Sequence, residues 1–244
     1  MKRKTPDFIK EKVIEWNELC ESRGIKKFNN YRIEINFKVG RCGNSFLSFE
    51  AFLLHHILLY ILKEHRFNIS HDFDEFIFPK IPIKKKFFGN DKDDYFYCCS
   101  GFFDIPNRVS FCTKRAEEPI INIVKDRRVC IKAGGMKNYK LPVLYSTQKK
   151  YYIDFFGDVE LIEKLLYNNM NIGKNYTTGF GQCSFKIKEI EKFELFNNEI
   201  HHYIRPVPID FIKNKNLPLL DEIIFCPIRP PYFGIKSKEY ECCL

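Results

Sequence analysis

Asn171-Ile172-Gly173-Lys174-Asn175-Tyr176-Thr177-Thr178-Gly179-Phe180-Gly181 is a glycine-rich stretch that takes its meaning from its neighbours. Before it, residues 151–156 read as a strand, Gly157-Asp158 turns the chain, and Asp158 is a helix-capping residue. Val159, Ile162, Leu165 and Leu166 then recur at helical spacing. After it, Cys183, Phe185, Ile187 and Glu189 alternate with Ser184, Lys186 and Lys188, the two-residue period of a strand. The order is strand, helix, glycine loop, strand. A Walker loop instead runs from a strand into a helix, so that the helix N-terminus meets the phosphate, and its Gly-x-x-x-x-Gly-Lys-Ser/Thr pattern is absent. The spacing of Gly173, Gly179 and Gly181 also fails the Rossmann fingerprint. A glycine loop in this position lets the main chain take positive φ, lie close to a ligand and offer free N–H groups to phosphates. Lys174 adds a point charge, and Tyr176 and Phe180 offer ring faces to bases. The plain alternative is a turn with a Gly-x-Gly bulge.

Upstream, Thr5-Pro6 opens a helix with Phe8, Ile9, Val13, Trp16, Leu19 and Cys20 roughly on one face, and Gly24 is its stop. Tyr31, Ile33, Ile35 and Phe37 alternate with Arg32, Glu34, Asn36 and Lys38, a half-buried strand. After the turn at residues 40–44, Ser48-Phe49-Glu50 leads into an apolar helix that ends near Lys63. The middle of the chain reads as short strands at 72–78, 81–88, 95–100 and 109–113, with loops at 90–94 and around Gly134-Gly135 and Asn138. No fixed-period repeat or low-complexity linker divides the chain, which predicts a helical extension over 1–30 and one continuous domain over 31–244.

Composition narrows the partners. The chain has 244 residues, with 40 Lys+Arg against 31 Asp+Glu, a formal charge of +9, and 16% aromatic residues. Cations with many exposed ring faces suit a polyanion that carries bases; the bland reading is solubility. The ten cysteines include no C-x-x-C pair, and Cys98-Cys99 and Cys242-Cys243 lack a zinc-ligand spacing, so neither metal nor cofactor is expected. Met1-Lys2-Arg3-Lys4 is followed by Thr5-Pro6-Asp7 and not by an apolar run, which predicts a cytoplasmic chain with reduced thiols. The longest apolar stretch, 46–62, is broken by Ser48, Glu50 and two histidines and reads as a buried helix, with no membrane partner expected.

The loop at 172–181, set after a helix and before a strand, resembles the signature loop of the CRISPR-associated RAMP superfamily. Weaker likenesses are the early strand and apolar helix at 32–39 and 49–62, Cys99-Ser100-Gly101-Phe102, and the proline-rich segments Arg205-Pro206-Val207-Pro208 and Arg229-Pro230-Pro231-Tyr232-Phe233. Within the superfamily the chain is most similar to the small RAMP subunit of type IV effector complexes, the type that caps the 5′ handle of CRISPR RNA. The likeness is firm over 151–233 and topological elsewhere, and the helix before Tyr31 departs from the pattern. It implies an α+β, ferredoxin-like (RRM-like) fold with an antiparallel sheet, the glycine-rich loop before the last core strand, and an added N-terminal helix. It also implies a non-catalytic subunit that binds guide RNA, contacts the backbone RAMP and large subunits, and assists in recognising the motif that flanks target DNA. The RNA-binding candidates are Gly173, Lys174, Asn175, Tyr176, Thr177, Gly179, Phe180 and Gly181.

Some members of that superfamily are metal-independent endoribonucleases, which need a histidine near the 2′-OH and cations around the phosphorane. Here His55-His56 stand on the apolar helix, where adjacent residues point about 100° apart, so at most one faces a site. Their apolar neighbours favour a core role. His201-His202 read as surface. The basic runs Lys84-Lys85-Lys86, Lys114-Arg115, Arg127-Arg128 and Lys149-Lys150 are singly solvated faces and, with Lys132, Lys137 and Lys140, together a candidate groove. Arg127, Arg128 and Lys132 join the RNA-binding candidates on that ground.

Overall fold

Ile9, Val13 and Trp16 form the buried stripe of α1 (Asp7–Arg23), which ends where Gly24 donates its N–H to the Cys20 carbonyl at 3.3 Å. In this computed structural model the described residues are 6–42, 46–62, 77–89, 91–103, 107–114, 139–167, 172, 181–230 and 238–244. After a 3₁₀ turn come β1 (Asn29–Phe37), β2 (Arg41–Cys42), β3 (Phe46–Ser48) and α2 (Phe49–Leu62). The middle holds β4 (Lys85–Phe87), β5 (Tyr95–Tyr97), β6 (Gly101–Phe103), β7 (Arg108–Lys114) and β8 (Tyr139–Ser146). Then follow β9 (Lys150–Gly157), α3 (Val159–Leu166), β10 (Cys183–Glu189), β11 (Phe196–Asn197), β12 (His202–Tyr203), β13 (Val207–Pro208), α4 (Ile209–Asn214), β14 (Ile223–Cys226) and β15 (Tyr240–Cys243). The described residues thus build a mixed α/β chain of small antiparallel sheets and four helices, the coarse class the sequence predicts.

The sheet that matters most is antiparallel with order β10-β1-β9. Ile33 lies opposite Ile187 on one side and Ile153 on the other, and Ile35 opposite Phe185 and Tyr151. A two-residue period puts these side chains on one face, and they meet α1, α2 and α3 in a common apolar core with Phe49, Leu53, Ile57, Leu161, Ile162 and Leu165. An irregular edge runs along the other side of β9. There Lys84 N–H donates to the Phe156 carbonyl at 2.9 Å, Phe156 N–H to the Cys98 carbonyl at 2.9 Å, and Ser100 N–H to the Asp154 carbonyl at 2.8 Å.

The capping role expected of Asp158 is met: its Oδ1 accepts from the Glu160 and Leu161 amides at 3.1 and 3.3 Å. The same carboxylate receives Arg23, whose Nη2 reaches Oδ1 at 3.1 Å and whose Nε reaches Oδ2. Arg23 also bonds Glu160 at 2.5 Å, so the end of α1 is tied to the start of α3. The N-terminal helix is part of the core, not a loose appendage.

The proline-rich C-terminal third, whose sequence predicts only a tail, contributes to a second core. Phe96, Leu195, Tyr203, Val207, Phe211, Ile212, Ile228, Cys242 and Cys243 are buried together under α4 and the sheet β13-β15-β14. Phe193 packs against both cores. The buried Glu50 of α2 and the buried Arg205 join them: Arg205 Nη2 meets Glu50 Oε1 at 2.7 Å. Arg205 Nη1 donates to the Tyr97 carbonyl at 2.5 Å, and Cys99 Sγ donates to Glu50 Oε2 at 3.0 Å. Strand β8 was also not expected, and the expected strand at 72–78 falls almost entirely outside the described residues.

Candidate nucleic-acid interface

Of the residues singled out from the sequence, Gly173, Lys174, Asn175, Tyr176, Thr177, Gly179 and Phe180, with Arg127, Arg128 and Lys132, lie outside the described residues. Gly181 is described, and so is the base from which the loop springs. Ile172 N–H donates to the Gly181 carbonyl at 3.0 Å, and Gly181 N–H donates to the Gly40 carbonyl at 2.8 Å. The Ile172 side chain is sunk in the main core. Ile172 and Gly181 therefore meet at one point, beside the turn after β1. Gly181 has φ +76°, and a Cβ there would stand 2.2 Å from the Ile172 carbonyl oxygen. Only glycine closes this base, because the backbone is left-handed and the neighbouring chain is too near for a side chain. Gly40 meets the same limit from the other direction, since its Cβ would stand 2.2 Å from the Ser146 oxygen.

Beyond this base, the β10-β1-β9 sheet has a second face against which none of the described helices packs. The even-numbered residues line it. Lys188, Arg32 and Asp154 make one row across the three strands, and Lys186, Glu34 and Tyr152 the next. Ser184, Asn36 and Lys150 make the third. Arg32 holds Asp154 in a bidentate pair, both bonds at 2.6 Å, and this bonding raises the guanidinium pKa further. The Arg32 guanidinium carbon also lies 5.8 Å from the Tyr152 ring centre. Glu34 accepts from Asn36 at 3.2 Å and stands 4.0 Å from the Lys150 ammonium. On the β9 side, Lys84 sits 4.9 Å over the Phe156 ring. Tyr152 is 52% exposed. The sequence carried the signal for these positions, the polar half of each alternation, but not the register that lines up the three rows.

The histidines are separated by burial. His55 is exposed, and His56 is buried with its ring 4.4 Å from that of Phe52. Burial, reinforced by His55, pushes His56 down to about 4, so that it is neutral at pH 7. Burial raises the thiol pKa of Cys98 and Cys99 and, to about 12, of Cys20 and Cys183. Among the described residues no group of three or more His, Cys, Asp or Glu is arranged to hold a metal ion, and no helix is long and apolar enough to cross a membrane.

No protein-family model matches the sequence, and no curated protein is significantly similar to it.

Proposed function

We propose that this chain is a non-catalytic RNA-binding subunit of the RAMP type, with a ferredoxin-like core, in a cytoplasmic type IV CRISPR effector ribonucleoprotein. It caps the 5′ handle of the guide, packs against the backbone and large subunits, and contributes to recognition of the motif flanking target DNA. The observation that carries this reading is the position of the glycine loop between α3 and β10, closed at its base by Ile172 and Gly181. Supporting it is the connectivity: β1 and α2, then the irregular edge, then β9, α3 and β10, with β1 between the last strand and β9. This order supports the ferredoxin-like reading, in which the outermost strand is broken into the segments at 83–84 and 98–100. In this reading the N–H groups of the glycine loop, Lys174 and the rings of Tyr176 and Phe180 meet the phosphates and bases of the RNA.

A repeat-cleaving enzyme is the competing reading. His56 argues against it, since a neutral histidine enclosed by Phe52 and the helix core has no approach to a 2′-OH. The purified chain incubated with repeat RNA in the absence of metal is expected to leave it intact. Site-specific cleavage that His55→Ala abolishes would replace the binding reading with the enzyme. The loop itself is tested by Lys174→Ala and Tyr176→Ala in titrations with a handle-length RNA. Lys174→Ala should lower the salt slope by about 0.7, one phosphate contact on a single strand, and unchanged binding by both variants would remove the loop from the account.

A further inference from the structure

We propose that the even-numbered face of the β10-β1-β9 sheet, against which none of the described helices packs, is a second contact surface for single-stranded RNA, with a base stacked on Tyr152 and phosphates held by Lys186 and Lys188. This rests on the RNA-binding reading above but uses residues other than the loop.

Charge on the face is unevenly spent. Arg32 and Asp154 neutralise each other through two short bonds, and Glu34 is shared between Asn36 and Lys150. Among the described residues Lys186 and Lys188 make no ion pair, and both are exposed. They stand two residues apart on one strand, hence about 7 Å apart on one face, so each reaches its own phosphate of an extended strand. Two free ammonium groups on a flat face call for a polyanion.

Tyr152 says which polyanion. A phenol ring half open to water on the outer strand β9, beside the row of Glu34 and Lys186, is a platform for a flat apolar partner. The Arg32 guanidinium beside it is immobilised by Asp154, so the ring is not free to fold away without breaking that contact. In register, Tyr152 lies across Glu34 from Lys186, about 10 Å at two strand spacings. A base on Tyr152 thus has its backbone directed over β1 toward the lysines. Glu34, midway, is an acceptor for a base amino group or a ribose 2′-hydroxyl. An acidic peptide would satisfy the lysines but would leave Tyr152 without a flat partner.

The test uses a fluorescein-labelled 15-nucleotide oligouridine RNA and anisotropy at several salt concentrations, with thermal melts alongside. Tyr152→Ala is expected to weaken binding on the order of tenfold, and Tyr152→Phe to bind like the parent. The double variant Lys186→Ala/Lys188→Ala should reduce the salt slope by about 1.4. All are exposed positions, so their melts should match the parent; if Tyr152→Ala melts low, the lysine pair alone decides. Face variants that bind like the parent at every salt level, while Lys174→Ala weakens, overturn the surface and leave the loop reading intact. The reverse pattern supports the surface and removes the loop. An oligothymidine DNA bound as tightly as the RNA would overturn the assignment to RNA.

Discussion

Glu50 and Arg205 are the most consequential side chains of the interior. Both are almost fully buried, and between them they use the Tyr97 carbonyl and the Cys99 thiol to satisfy their remaining valences. A buried pair of this kind contributes little against an apolar replacement, but removing one partner strands the other charge, at about 3–5 kcal/mol. Glu50→Ala and Arg205→Ala should each lose stability on that scale in urea titrations followed by Trp16 fluorescence. The double variant should lose clearly less than the sum. Additive losses would mean that the two groups do not depend on each other. His56 predicts a pH effect with a definite sign. Its folded pKa is about 4 and its unfolded value about 6.5, so between these the unfolded chain binds a proton that the folded chain does not. Its contribution is fully present above pH 6.5 and is lost as pH falls toward 4, by up to about 3 kcal/mol. Urea midpoints at pH 7 and pH 5 should therefore converge in His56→Leu relative to the parent; an equal drop in both proteins would contradict this.

At the scale of elements, the loop base separates fold from binding. Gly181→Ala places a β-carbon on the Ile172 carbonyl and forces a left-handed backbone, so it should cost about 1–3 kcal/mol of stability. Lys174→Ala should leave the melt unchanged. A Gly181→Ala protein that melts like the parent would mean that this pinch does not hold the loop. The strands and helices beside the loop were legible because period and caps agree: β1, β9 and β10 alternate, α3 repeats at helical spacing, and Asp158 starts it. Strand β8 was hidden by Pro142, which has no N–H to give and argues against a strand in the middle of a sheet. Among the described residues β2 pairs with β8 at Tyr145 and Ser146, while Pro142 lies opposite Phe111 of β7, so the proline is not placed between two described strands. The C-terminal strands run for two to four residues, too short for any period to show. Arg205 finds Glu50 across 155 positions, a contact that no spacing rule reports. The same limit applies to the sheet face: each strand displays its own polar row, but only the register sets Tyr152, Glu34 and Lys186 in line.

At the scale of the molecule, two cores are bound into one unit by Phe193 and the Glu50–Arg205 pair. Trp16 reports on the first core, and the buried thiols Cys242 and Cys243 on the second. Trp16 fluorescence and labelling read at Cys242 and Cys243 by peptide mass spectrometry should therefore give one denaturation midpoint, and separate midpoints would mean that the cores unfold independently. The formal charge of +9 draws the whole chain toward polyanions, but attraction alone selects no particular RNA. Selection is what a capping subunit requires, and it separates that role from general affinity for nucleic acid. The direct measurement is to purify the chain with its co-expressed partner subunits and a CRISPR array, extract the bound RNA and sequence its 5′ ends. One discrete RNA with a uniform 5′ end is expected, retained through a wash at moderate salt and lost when Lys174 and Tyr176 are both replaced by alanine. Bound RNA of random sequence and ragged ends, or no RNA at all, would contradict the capping role.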